Sequence, residues 1–86
     1  MDENDYKNFC INIWDKLKST CNASINCQVD TNKDILHVSF ERLGINYDTS
    51  VKNVSDILKN GEDEIDKCIT EIVKSYKNFI KHKFFY

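Results

Sequence analysis

Cys10, Cys21, Cys27 and Cys68, together with His37 and His82, are the side chains here best suited to ligate a soft metal or act as a nucleophile. A zinc site draws on closely spaced ligand pairs, and the sequence holds no Cys-x-x-Cys. Cys21, Cys27 and His37 could converge only at a sheet edge, and strand alternation turns His37 to the face opposite Cys27. Four cysteines in a secreted chain would read as two disulfides. Each of these four falls on an apolar stripe, where a free thiol behaves as a small hydrophobe. Neither histidine has a nucleophile and an orienting carboxylate in a fixed local relationship, and His37 shares its strand face with Ser39 and Glu41 as a solvated row. Gly44 and Gly61 form no phosphate-cradling loop, since no Gly-Lys-Ser or Gly-Lys-Thr follows either. The chain is therefore expected to be no enzyme and to use no metal and no cofactor.

Binding chemistry has better carriers. Glu62, Asp63, Glu64 and Asp66 form an acidic cluster, and Lys74, Lys77, Lys81 and Lys83 form a basic series that ends in Phe84, Phe85 and Tyr86. The basic and aromatic segment could meet phosphates and bases or an acidic protein surface. Both clusters also have a purely structural explanation, because acids favour a helix start and bases a helix end. Terminal aromatics docked on the core complete that explanation, and exposed ones would be an interaction site or a dimer contact.

These residues are positioned by elements that the apolar periodicity marks out. Tyr6, Phe9, Cys10, Ile13, Trp14, Leu17 and Cys21 step by three and four residues and predict a helix, capped by Asp2, Asn4 or Asp5 and ending near residues 20–22. Ile25, Cys27 and Val29, then Leu36, Val38 and Phe40, alternate as strands around the turn residues Thr31-Asn32-Lys33-Asp34. With those four as the loop, Val29 faces Leu36, Cys27 faces Val38 and Ile25 faces Phe40, a register that one-residue slippage would destroy. A second four-residue connection, Glu41-Arg42-Leu43-Gly44, sets Phe40 opposite Ile45 and Val38 opposite Tyr47, with the middle strand at 35–41.

Asp48-Thr49-Ser50 then offers caps for a short helix through Val51, Val54, Ile57 and Leu58, and Asn60-Gly61 supplies its stop. Ile65, Cys68, Ile69, Ile72, Tyr76, Phe79 and Ile80 define a long last helix. The apolar phase survives across Gly61, so one kinked helix is the alternative to two consecutive ones. Ile65, Ile69, Ile72, Tyr76 and Phe79 also alternate steps of four and three as a coiled-coil seam does, a route to self-association. The expected fold class is α+β: helix, three-stranded antiparallel meander, then one kinked or two consecutive helices on one face of the sheet.

Eighty-six residues fit one domain over 1–86, and the absence of Pro with only two Gly argues for regular elements end to end. Twelve basic against fourteen acidic residues leave a net charge of -2, too near neutral to predict a polyanionic partner from bulk charge. No run approaches the roughly 20 apolar residues of a membrane span. The acidic first residues are unlike a secretory signal, so a cytoplasmic location is expected, the host cytoplasm for a phage or viral gene. Lys, Asn and Ile are abundant and Arg42 is the only Arg, a bias of AT-rich genomes such as those of low-GC bacteria, their phages and mobile elements.

The order helix, three antiparallel strands, helix resembles the double-stranded-RNA-binding domain. That family carries a Lys-rich cluster at the start of its last helix and a Gly-Pro loop with His between its first two strands. Here Val51-Lys52-Asn53-Val54 and Thr31-Asn32-Lys33-Asp34 stand at those places, so the resemblance is one of element order. Small phage anti-CRISPR inhibitors are similar in length and order. The expectation is a non-enzymatic protein-binding module, an accessory, regulatory or inhibitory protein of a phage or mobile element. It would bind another protein through Glu62, Asp63, Glu64 and Asp66, the polar sheet face, or Lys77, Lys81, Lys83, Phe84, Phe85 and Tyr86. The alternatives are a nucleic-acid-binding module using Lys74, Lys77, Lys81 and Lys83, and a homodimer or larger homo-oligomer built through the last helix or an edge strand.

Overall fold

A computed structural model describes residues 3–84. Helix α1 (Glu3–Thr20) leads into strands β1 (Ser24–Asp30), β2 (Ile35–Arg42) and β3 (Ile45–Lys52), followed by helices α2 (Val54–Asn60) and α3 (Glu62–Phe84). The strands form one antiparallel sheet in the order β1-β2-β3. Period-2 alternation splits the sheet into an apolar face, which the helices cover, and a polar face, which they leave to solvent. Leu36, Val38 and Phe40 of the central strand are sealed completely between Phe9, Ile13 and Leu17 of α1 and Ile69, Ile72 and Tyr76 of α3. Burial of each such side chain contributes about 1.5–3 kcal/mol. Phe40 stacks on Tyr76 with ring centroids 4.4 Å apart, and Tyr47 and Phe79, at 4.6 Å, extend the aromatic cluster towards β3.

The first hairpin has the expected register: Val29 opposite Leu36, Cys27 opposite Val38 and Ile25 opposite Phe40. Asp30 shapes its loop by accepting the N–H groups of Asn32 and Lys33 on Oδ1, at 3.0 and 3.2 Å. The second hairpin differs from the expectation. Its loop is Leu43-Gly44 alone, Arg42 pairs with Ile45, Phe40 faces Tyr47 and not Ile45, and Val38 faces Thr49 and not Tyr47. Leu43 at φ 53° and Gly44 at φ 82° both lie in the left-handed region, the requirement of the tight turn that matches strand twist. The N–H of Gly44 donates to Glu41 Oε1 at 3.0 Å and fastens the turn.

A second correction follows from this register. β3 runs to Lys52, with Val51 opposite Leu36, so Asp48, Thr49 and Ser50 are strand residues and not helix caps. Helix α2 starts at Val54, after Asn53 turns the corner at φ 59°. Its cap comes from across the fold. Asp34, itself at φ 60°, accepts the Val54 N–H on its carbonyl at 3.2 Å, the Ser55 N–H on Oδ1 at 3.0 Å and the Ser55 hydroxyl on Oδ2 at 2.7 Å. The break expected at Asn60-Gly61 is present: α2 ends at Asn60, Gly61 adopts φ 90°, ψ -167°, and α3 begins at Glu62.

Three strands are an odd number, so the chain enters and leaves the sheet at opposite ends, and α1 and α3 run the same way. Asp5, Phe9 and Asn12 of α1 border one depression with Ile65 of α3, while Cys21, just past α1, lies within electrostatic reach of Lys77. Both helices are acidic in their first turn, Glu3 with Asp5 in α1 and Glu62 with Asp63 and Glu64 in α3. Both are basic in their last, Lys18 in α1 and Lys81, His82 and Lys83 in α3.

Candidate functional site

Glu64 stands apart from Glu62 and Asp66 in the acidic cluster at the start of α3, because residues two apart on a helix face different ways. Asp66 turns to α1 and pairs with Lys16 at 3.2 Å, an exposed ion pair that joins the two helices. Glu64 is half-buried and borders a groove beside β3, and Glu62 and Asp63 are exposed. Lys74, Lys77 and Lys81 share one exposed face of α3, where they border a shallow depression with Thr70, Val73 and Asn78. The Lys83 ammonium lies 5.7 Å from the Phe79 ring centroid. The side chain of Phe84, and Phe85 and Tyr86 entirely, lie outside the described residues. The coiled-coil-like seam of α3 is largely consumed by the fold, with Ile69, Ile72 and Tyr76 buried in the chain's own core.

The cysteines are structural in setting. Burial pushes the Cys27 thiol up to about 12, with Cys10 adding to the effect, and the Cys68 thiol up to about 11, with Glu71 adding to it. Burial likewise raises Cys10 and Cys21, the latter partly offset by Lys77. All four thiols are free. Among the described residues no group of three or more His, Cys, Asp or Glu side chains is placed to hold a metal ion. The Tyr76 hydroxyl is buried without a well-formed hydrogen bond; burial raises its pKa and the Arg42 guanidinium pulls it back.

The Asp34 cluster escaped the sequence reading, which saw Asp34 only as a turn residue. Tyr6 of α1 donates its hydroxyl to Asp34 Oδ1 at 2.9 Å, so one carboxylate ties α1, the first hairpin loop and the start of α2 together. Hydrogen bonds from Ser55 and Tyr6 hold the Asp34 carboxyl below its ordinary 3.8 against a smaller opposing effect of desolvation. Every acceptor position described is used by the fold, which makes this a staple and leaves it little capacity for a ligand.

The two edges of the sheet are treated differently, and this asymmetry is the outstanding feature of the surface. In the second hairpin the pair flanking the turn exchanges ladder hydrogen bonds, so Ile45, Tyr47, Thr49 and Val51 bond inward to β2. The same alternation carried across β2 turns the backbone groups of Ile25, Cys27 and Val29 outward on β1. Helix α1 covers that edge. Trp14 Nε1 donates to the Ile25 carbonyl at 2.9 Å and the Cys10 thiol to the Cys27 carbonyl at 3.2 Å. At the other edge, Asn46, Asp48, Ser50 and Lys52 turn their N–H and C=O groups outward. Among the described residues no hydrogen bond from another element reaches these groups. Beside them runs a groove of about 450 Å³, bordered by Thr49 and Val51 of β3, Ile57 of α2, and Cys68, Glu71 and Ile72 of α3.

The polar face adds a second surface in rows across the strands: Asn26, Ser39 and Asp48, then Gln28, His37 and Ser50. These rows carry amides, hydroxyls, the Asp48 carboxylate and one small ring, the His37 imidazole. No helix is long and apolar enough to cross a membrane among the described residues. No family model matches the chain, and no curated protein or solved structure is similar to it.

Proposed function

We propose that the chain is a non-enzymatic protein-binding module that takes an extended strand of its protein ligand along the open edge of β3. The observation that carries this reading is the contrast between the edges. A long strand edge is a template for another chain, and folded proteins ordinarily cover or distort it. This fold spends Trp14 and Cys10 on β1 and leaves the eight-residue β3 bare beside a groove lined by polar and apolar side chains together. Main-chain hydrogen bonds would supply affinity there, and side chains entering the groove would supply selectivity. Four free thiols, two of them held well above neutrality, fit a reducing compartment, and the proposal places the protein in the cytoplasm as a small accessory or inhibitory factor.

Ser50→Pro tests the edge. It removes one outward N–H and no ladder bond, a change tolerated on an edge strand. Immobilised wild type is expected to retain a protein from the source lysate after nuclease and moderate salt, and the Ser50→Pro variant to lose it. Equal retention by both would refute the edge as the site. A nucleic-acid reading rests on the shared exposed face of Lys74, Lys77 and Lys81. It requires a mobility shift that weakens steeply with salt, because neutralised phosphates release counterions.

A further inference from the structure

The bare edge has a charge pattern that fits one occupant in particular. Asp48 and Lys52 lie two residues to either side of Ser50, all three with outward backbone groups and with side chains on the solvent face. An edge charge of a single sign repels a second copy, which is how lysines ordinarily guard sheet edges. Opposite charges placed symmetrically about one residue do the reverse. Antiparallel pairing about Ser50 sets Ser50 against Ser50, Asp48 against Lys52, and Lys52 against Asp48, and each is a pairing of outward-facing backbone groups. A register centred on Asp48 would oppose two carboxylates, so the charges also select the register.

We propose that β3 pairs with β3 of a second copy of this chain, antiparallel about a two-fold axis at Ser50, and that the two sheets become one. This rests on the strand-addition reading and names its occupant. The wall of the groove is consistent with it. Glu64, Lys67 and Glu71 run acid, base, acid along the face of α3 that borders the groove, and a two-fold axis sets this face antiparallel to its equivalent, so that it presents both signs of charge to its copy. On the inner face Thr49 meets Val51 of the second copy, which continues the half-buried row of β3. The assembly closes at two chains, because its outer edges are then both β1, which Trp14 and Cys10 cover.

The test uses the full chain and charge exchange. Wild type is expected to show a concentration-dependent mass rising from one chain to two in sedimentation equilibrium. Asp48→Lys and Lys52→Asp each place like charges opposite one another at both ends of the paired segment, and each is expected to weaken the dimer about tenfold. An equimolar mixture of the two variants restores both opposite-charge pairs and is expected to associate as tightly as wild type. Far-UV circular dichroism of each variant alone checks that the exposed substitutions leave the fold intact. Amide exchange gives an independent signature: Asp48, Ser50 and Lys52 gain protection on dimerisation, whereas Thr49 and Val51 are protected in both states. A wild type that stays one chain at every concentration overturns the proposal. So does a dimer indifferent to both substitutions, or a mixture no tighter than its components. If the chain is a monomer and Ser50→Pro still abolishes capture of a different protein, strand addition stands and self-pairing falls. If neither association depends on β3, both fall.

Discussion

Replacement of Trp14 by Phe isolates the hydrogen bond that guards β1. The ring remains, with its packing against the sheet edge and with Lys18 nearby, and only the indole N–H donation to the Ile25 carbonyl at 2.9 Å is lost. A neutral hydrogen bond contributes about 0.5–1.5 kcal/mol net. Ile25 is half-buried, so water reaches its carbonyl once the indole is gone and the full penalty of an unpaired buried acceptor does not apply. A loss of about 1 kcal/mol follows, which for a chain of this size lowers Tm by about 4–8 °C. Trp14 is the sole tryptophan, so unfolding has to be followed by far-UV circular dichroism and not by its fluorescence. Trp14→Ala also strips the ring from the edge, and light scattering is expected to show association that grows with concentration as β1 becomes a second template. An unchanged Tm in Trp14→Phe, together with no added scattering in Trp14→Ala, would refute the claim that α1 covers this edge.

Three further outcomes are expected. Asp34 has a folded pKa below its ordinary 3.8, so its contribution to stability is complete above that value and is lost as pH falls through the folded pKa. Asp34→Ala is therefore less stable than wild type at neutral pH in urea titrations, and the gap narrows below pH 3.8. Gly61→Ala meets no neighbouring atom within 4 Å, yet φ 90° with ψ -167° is glycine territory, so a strain of about 1–3 kcal/mol should appear as a lowered denaturation midpoint. Cys27 and Cys68, at about 12 and about 11, should resist iodoacetamide at mildly alkaline pH in the native protein and react after denaturation, as read by intact mass.

The first hairpin was legible because alternation and a polar four-residue loop agree on a single register. The second was misplaced by two residues, a shift that leaves every side chain on its own face and is therefore invisible to period-2 patterning. Only the turn decides it, through a leucine at φ 53° that no composition rule would put there. Val51 suits both a strand and the start of a helical stripe, and its pairing with Leu36 settled the matter. Of the candidate site, the groups at the two ends of α3 could be named in advance but their directions could not. The division of Asp66 from Glu64 was implicit in helical geometry, whereas the Asp34 cap spans 21 residues to Ser55 and has no local signal. The bare edge was out of reach, since it depends on which strand α1 lies beside.

The shared direction of α1 and α3 gives the whole molecule an electrical polarity. With carboxylates in the first turn of each of these helices and cations in the last, a single copy turns in an external field before it touches anything. Two copies related by the Ser50 axis lie head to tail, and their moments cancel in the plane of the joined sheet. Dielectric relaxation thus tests the proposed pairing without a label: if two copies join about Ser50, the increment per chain collapses as concentration rises.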